Sequence, residues 1–317
     1  MAFALLTSTC ALHVRADSPA YPTRPLKLVI GFGTGSVMDT VARLVGAKLA
    51  ESLEQPVVVE NVPGVSGNLA SERIAKAAPD GYTLGIVGLS VVTLPATHVG
   101  RAVDPLQAFV PVILLTSQPI ILMVHPDQPM QTVHDIVNAA RHAEGGLPYT
   151  SLGIATPPHL AAEALAQSAG VKLLTVPYTQ PGQAMQDLLG GAVPMTFAPL
   201  SWVESHVRSH VLRAIAVTGT RRAAMLPDVP TFAEAGYPDV TVVSWFGVVL
   251  PSGTPKEVSG RLHRELARVL DQPDTRERLA AMGMTIEGGT AERFAAYIAA
   301  EKVRLGTLIE AAKIRVE

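Results

Sequence analysis

The chain has 317 residues, 48% hydrophobic and 16% charged, with a formal net charge of −2; that length suffices for two lobes of ordinary domain size, each burying its own core. So small a net charge, with no basic run interleaved with aromatics, excludes nucleic acid as a partner.

Met1 to Ala16 has an apolar middle and ends in Val14-Arg15-Ala16, a small-residue ending suited to cleavage before Asp17. Residues 1–16 are therefore expected to be an export signal. They contain Cys10, the only cysteine, so the exported protein has no disulfide and relies on packing. No later stretch has the ~18 consecutive apolar residues of a membrane span. The chain is not expected to cross a membrane.

Leu26 to Ile30 reads as a buried strand, and Met38, Val41, Val45, Leu49 and Leu53 then repeat at helical spacing. Between them lies Gly31-Phe-Gly-Thr-Gly-Ser36, a glycine turn at the start of a helix. Glycine allows close backbone approach, and the N–H groups and positive dipole end of the helix favour an anion there. The turn is a candidate anion cradle. A dinucleotide fold wants G-x-G-x-x-G, but the glycines here are Gly31, Gly33 and Gly35, so the third is displaced by one. Glu60, at the end of the second strand, lies too far along to be the ribose acid of such a site.

Val57 to Glu60 is a second strand, followed by the glycine-rich turn Asn61-Val-Pro-Gly-Val-Ser-Gly-Asn68 and a helix over about 69–77. Tyr82 to Val87 is a third strand ending in Gly88-Leu-Ser90, so three strand ends carry small polar loops. Ligands of open parallel sheets bind beyond such carboxyl ends. Val112 to Thr116 and Ile120 to Val124 read as two strands flanking Ser117-Gln118-Pro119, the crossing into a second lobe. Thr132-Val-His-Asp135 has the form of a helix start. Tyr149-Thr-Ser151 leads through Leu152-Gly-Ile-Ala-Thr-Pro-Pro-His159 into a helix over about 160–168, repeating the strand, glycine turn and helix theme. Strands at 173–178, 195–198 and 214–217 complete a second parallel-type sheet, with helices near 182–190 and 202–209 between them.

Val242 to Leu250 returns the chain to the first lobe, and Thr254-Pro-Lys-Glu257 predicts a helix capped by Thr254. Helices near 274–282 and 291–312 close the chain. The expectation is an α/β fold of two lobes, 17–118 with 247–317 and 119–246, a parallel-type sheet in each and two strands as a hinge. Its ligand would sit between the lobes.

From Tyr21-Pro-Thr-Arg-Pro25 onward the sequence resembles the extracytoplasmic receptors of tripartite tricarboxylate transporters, the Bug receptors of the bordetellae. The matching segments include Gln55-Pro-Val-Val-Val-Glu-Asn61, Ala77-Ala-Pro-Asp-Gly-Tyr-Thr-Leu84, Asp187-Leu-Leu-Gly-Gly191, Leu226-Pro-Asp-Val-Pro-Thr231 and Ser244-Trp-Phe-Gly247. The resemblance implies a type II periplasmic binding protein. Such a protein is a periplasmic monomer that takes a small carboxylate and hands it to the large and small membrane subunits of the transporter, with no cofactor and no metal. The sequence departs from the family pattern in the first loop, at Ala198-Pro199, where the family often has Asp-Asn, and at Thr179-Gln180. Ligand identity is therefore not carried over from relatives.

Thr34, Gly35 and Ser36 are the expected carboxylate donors of the first loop, with Asn68 and Ser90 as polar contacts on neighbouring strand ends. Asp39 has the wrong sign to meet an anion and is expected to serve the helix start. Ser151, Gly153, Thr156 and His159 resemble the family's Ser-x-Gly-x-x-Thr-x-x-His turn on the opposite lobe, and Tyr178 is placed to close over the ligand. His159 reads equally as a helix-start residue satisfied by backbone. Two opposed anion sites suit a dicarboxylate, whereas one such site facing an apolar or amine-binding wall suits a monoacid or an amino acid. Both remain open at this point. No G-x-S-x-G or HExxH occurs, and His206 with His210 has no third ligand at a diagnostic spacing. The alternative is an α/β enzyme that uses the glycine loop for a nucleotide cofactor; a third reading is a receptor signalling to a sensor without transport.

Overall fold

The computed structural model describes residues 21–97 and 102–315. The expected export signal and Cys10 lie outside the described residues. The first strand, β1 (Leu26–Ile30), is apolar and almost wholly buried, and α1 (Val37–Leu53) follows with Met38, Val41, Val45, Leu49 and Leu53 all turned inward. The 3.6-residue spacing is the reason: it places these side chains on one stripe, packed under the sheet. β2 (Val57–Asn61), α2 (Asn68–Ala75) and β3 (Thr83–Gly88) continue the alternation, and β2-β1-β3 pair in parallel. After β3 the chain turns at once into α3 (Ser90–Thr97), then α4 (Pro105–Ala108). Ser90 thus opens a helix instead of sitting in a free loop.

The two strands expected around Ser117-Gln118-Pro119 are one, β4 (Phe109–Val124). The polar triplet stays extended because each of its residues has a partner across the ladder in β9 (Val243–Pro251): Ser117 faces Trp245, Gln118 faces Ser244 and Pro119 faces Val243. The second unit comprises α5 (Val133–His142), β5 (Leu147–Ser151), α6 (Pro157–Ala169), β6 (Leu173–Pro177) and α7 (Pro181–Leu189), then β7 (Met195–Pro199), α8 (Leu200–Arg208) and β8 (Arg213–Val217). Thr132 caps α5 with the reciprocal Asp135 contact read from the sequence. β6-β5-β7 pair in parallel, and β7 and β8 flank the second half of β4 in antiparallel fashion.

Each sheet therefore joins a parallel core to the antiparallel connecting strands. The first runs β2-β1-β3-β9-β4, extended by β10 (Thr285–Gly288), a strand missing from the sequence reading. Between β9 and β10 lie α9 (Lys256–Asp271) and α10 (Pro273–Ala281); α11 (Ala291–Ala311) closes the chain. α9 begins one residue later than expected. Thr254 donates its hydroxyl to the Pro251 carbonyl at 2.8 Å, closing the turn after β9, so it does not cap the helix.

One buried cluster, Leu26 through Met284, packs α1, α9 and α10 against one face of the first sheet. A second covers the other face under α2, α3 and α11 and continues through β4 beneath α5 and α6. The two sheets thus share a strand and part of a core. No helix among the described residues is long and apolar enough to cross a membrane.

Candidate functional site

β1 and β3 are neighbours in the first sheet, so α1 and α3 begin side by side beyond their carboxyl ends. The β1–α1 loop is held close to the loop before α2: a Cβ on Gly31 would come within 2.6 Å of the Gly67 Cα. Only glycine at position 31 permits that approach. The start of α6, beyond β5 of the second sheet, faces these helix starts across a cleft of about 230 Å³. Phe32, Ser36, Val37 and Met38 line one side, joined by Ser66 and by Leu89, Ser90, Thr93 and Leu94. Ile154 through Pro158, with Pro199, form the other side, and Gln118, Ser244 and Phe246 of the connecting strands form the floor.

Of the ten residues singled out from the sequence, Ser36, Ser90 and Thr156 line this cleft. Ser36 caps α1, its Oγ accepting the Asp39 N–H at 3.2 Å. Thr34 is exposed on the same loop. The Gly35 N–H is donated to Asp39 Oδ2 at 2.9 Å and is engaged inside the protein. Asp39 is the internal anchor of the loop: Arg43 and Asn61 also bond its carboxylate, at 3.0 and 2.9 Å. The Arg43 guanidinium, then the Gly35 amide and Asn61, hold this carboxyl down at about 2 against the opposing effect of burial.

Asn68 is buried at the start of α2, its amide donating to Glu72 at 3.0 Å. Ser151 and Gly153 form the turn after β5, where Thr156 donates its hydroxyl to the Gly153 carbonyl at 2.8 Å. His159 is 6% exposed, and its Nδ1 accepts the Ala155 N–H at 3.3 Å. Burial pushes its pKa down to about 4, so the ring is neutral at pH 7. Its Nε2 stands 3.9 Å from Glu163, too far for a hydrogen bond, and that carboxyl is itself raised by burial. Neither shift is the signature of an ion pair. Tyr178 donates to Asp187 at 2.7 Å. Thr34, Gly35, Asn68, Ser151, Gly153, His159 and Tyr178 do not line the cleft.

Gln118 was missed as a site residue. It is 2% exposed, and its Oε1 has no hydrogen-bond partner among the described residues. Its signal was present: an amide between two apolar runs on a crossing strand needs a polar partner somewhere. A larger groove of about 770 Å³ is lined by Ser117 and Pro119, the residues on either side of Gln118. Successive strand residues point to opposite faces, so this groove lies behind the connecting strands. Several charged groups there are already paired, Arg222 with Glu234 and Arg304 with Glu301. The cleft, by contrast, is lined by no Lys, Arg, His, Asp or Glu among the described residues. Among the described residues no three His, Cys, Asp or Glu side chains are grouped to hold a metal.

The sequence profile described as "Tripartite tricarboxylate transporter family receptor" matches residues 41–314. A UPF0065 protein from the tcbD-tcbE intergenic region of Pseudomonas sp. (strain P51) is 36% identical over 98% of this chain and 91% of its own length. Protein BugT of Bordetella pertussis is 32% identical over 94% of this chain and 91% of its own. The solved structure of R. palustris Rpa4515 with adipate superposes with a TM-score of 0.82 at 32% identity, covering 93% of this chain and 99% of that one.

Proposed function

The chain belongs to the tripartite tricarboxylate transporter receptor family, with its α/β periplasmic binding protein fold, and on that premise we propose that it is a periplasmic receptor for a small organic carboxylate. The ligand is captured between two lobes, 17–118 with 247–317 and 119–246, and delivered to the large and small membrane subunits of a transporter. The receptor acts as a monomer, without cofactor, and returns its ligand unchanged. Ser36, Ser90 and Thr156 contact the ligand. Thr34, Gly35, Asn68, Ser151, Gly153, His159 and Tyr178 shape the loops around it.

The observation that carries this reading is the convergence of two helix starts, α1 and α3, on one cleft with no acid on its lining among the described residues. Helix N-termini favour an anion without the charge of a cation. A relative of the same fold holds adipate. Nothing favours the nucleotide-cofactor alternative: the Gly35 amide is engaged by Asp39, and Glu60 is paired with Arg73 at 2.6 Å.

The test is a thermal-shift screen against mono-, di- and tricarboxylates, acidic amino acids and nucleotide cofactors, followed by mass spectrometry of the bound compound. A ligand at ~100 times its Kd adds roughly 2.7 kcal/mol to stability, a readily visible shift. Stabilisation by a carboxylate recovered unaltered is expected, and Ser36→Asp and Thr156→Asp should each abolish it by setting a second negative charge beside the ligand. Stabilisation by a nucleotide alone would overturn the reading.

A further inference from the structure

The two walls of the cleft are chemically unequal. On the first wall, Val37 and Met38 of α1 and Ser90 of α3 occupy first-turn positions, whose N–H groups have no acceptor within their own helix. The Ser36 and Ser90 hydroxyls stand beside them. On the facing wall α6 opens with Pro157 and Pro158, and proline has no N–H to give. The helix start that could hold a second anion thus lacks two of its four donors. The hydroxyl of Thr156 is turned away to the Gly153 carbonyl, and α8 reaches the cleft only through Pro199. Ile154 and Ala155 complete an apolar wall.

Between the walls, on β4, stands Gln118, buried, lining the cleft, with its Oε1 unpartnered. A buried amide in that state is a ligand contact in waiting, because leaving a polar atom unpaired away from water is costly.

We propose that the cleft selects a monocarboxylic acid with an apolar body: the carboxylate lies at the starts of α1 and α3, the body lies against Ile154, Pro157, Pro158 and Pro199, and the Gln118 amide, turned about its terminal bond, donates an N–H to the carboxylate. This inference rests on the receptor reading above. A second carboxylate would have to face the two prolines, where it would lose water and find two of the helix start's four donors missing.

Hexanoate and adipate form the decisive pair, the same six-carbon chain with one carboxylate or two. Titration calorimetry of the purified protein with both, and with benzoate and citrate, is expected to show hexanoate or benzoate binding at least tenfold more tightly than adipate and citrate. Tighter binding of adipate or citrate would overturn the inference and leave the receptor reading standing. Failure of all four, together with a thermal-shift screen in which no carboxylate stabilises the protein, would overturn both.

Two variants read the walls separately. Pro158→Ser restores an N–H and is expected to improve adipate binding about fivefold relative to hexanoate; an unchanged ratio counts against the asymmetry. Gln118→Leu keeps the side-chain volume and removes the unpaired amide. It is expected to raise the melting temperature of the ligand-free protein while weakening hexanoate binding about tenfold. A residue with a purely structural role would move both in the same direction, and that result would remove Gln118 from the site.

Discussion

His159 allows a test of how the second wall is built. The ring is buried and its pKa is pushed down from the usual 6.5 to about 4. Because the folded value lies below the unfolded one, the unfolded chain takes up the proton first as the pH falls. The neutral ring therefore costs no stability above about pH 6.5, and stability is lost progressively from there down to about pH 4. Between pH 7 and pH 5 the two pKa values imply a loss of about 2 kcal/mol. Attraction from Glu163, 3.9 Å from Nε2, works in the other direction and makes that figure a ceiling. His159→Asn preserves an acceptor for the Ala155 N–H and removes the titration. Urea unfolding of both proteins at pH 7 and pH 5 isolates the histidine, because the raised Glu163 and every other titrating group stay in the comparison. Wild type is expected to lose between 1 and about 2 kcal/mol more than the variant over that interval. Equal losses would refute the claim that a neutral buried imidazole holds this turn.

Three further substitutions probe the loops. Ala155 has a φ of 58°, a left-handed conformation that costs an L-residue roughly 1 kcal/mol, so Ala155→Gly should raise the urea midpoint by an amount equivalent to about 0.5–1 kcal/mol; a lower midpoint would show that the backbone is not strained there. Gly31→Ala drives a methyl into the Gly67 backbone and should destabilise by about 2 kcal/mol, with weaker carboxylate binding in the same calorimetric assay. Asp39, with its carboxyl held at about 2, contributes stability that is present above pH 4 and lost as the pH falls through 2. Asp39→Asn should flatten that acid limb of the stability profile, and an unchanged limb would assign it to other carboxylates.

Much of this architecture was legible because it rests on local periodicity. The apolar stripe from Met38 to Leu53 could only be one face of a helix, and Thr132 with Asp135 announced a cap. What local pattern could not convey was pairing between distant segments. Ser117-Gln118-Pro119 has the composition of a break, yet it continues β4 because β9, more than 120 residues later, supplies the ladder. β10 is short and exists only by pairing with β4. At the site, residue type indicated where polar groups were present, but not which were already engaged. Gly35 and Tyr178 looked available from sequence, and each is hydrogen-bonded to a nearby carboxylate, Asp39 and Asp187. Pro157 and Pro158 lay in plain view as a helix start. Their meaning as missing donors depended on knowing that they face the start of α1.

In the proposed receptor, this asymmetry also bears on how ligand binding can favour a closed state. A ligand shifts the equilibrium between open and closed forms only by the difference in its affinity for them. The donors at α1 and α3 belong to one sheet and can hold a carboxylate whether or not the facing wall is near, so they contribute affinity without driving closure. The apolar wall belongs to the other sheet and is reached only when the walls approach. Burying roughly 100 Å² of the ligand's body there contributes about 2.5 kcal/mol, equivalent to a 60- to 70-fold preference for the closed form. The carboxylate would then set how tightly a compound binds, and the body would set whether binding is followed by closure. A short acid such as acetate should therefore compete with hexanoate for the cleft without inducing the compaction that hexanoate induces in small-angle scattering. Equal compaction by both acids would show that the anion contact alone closes the protein.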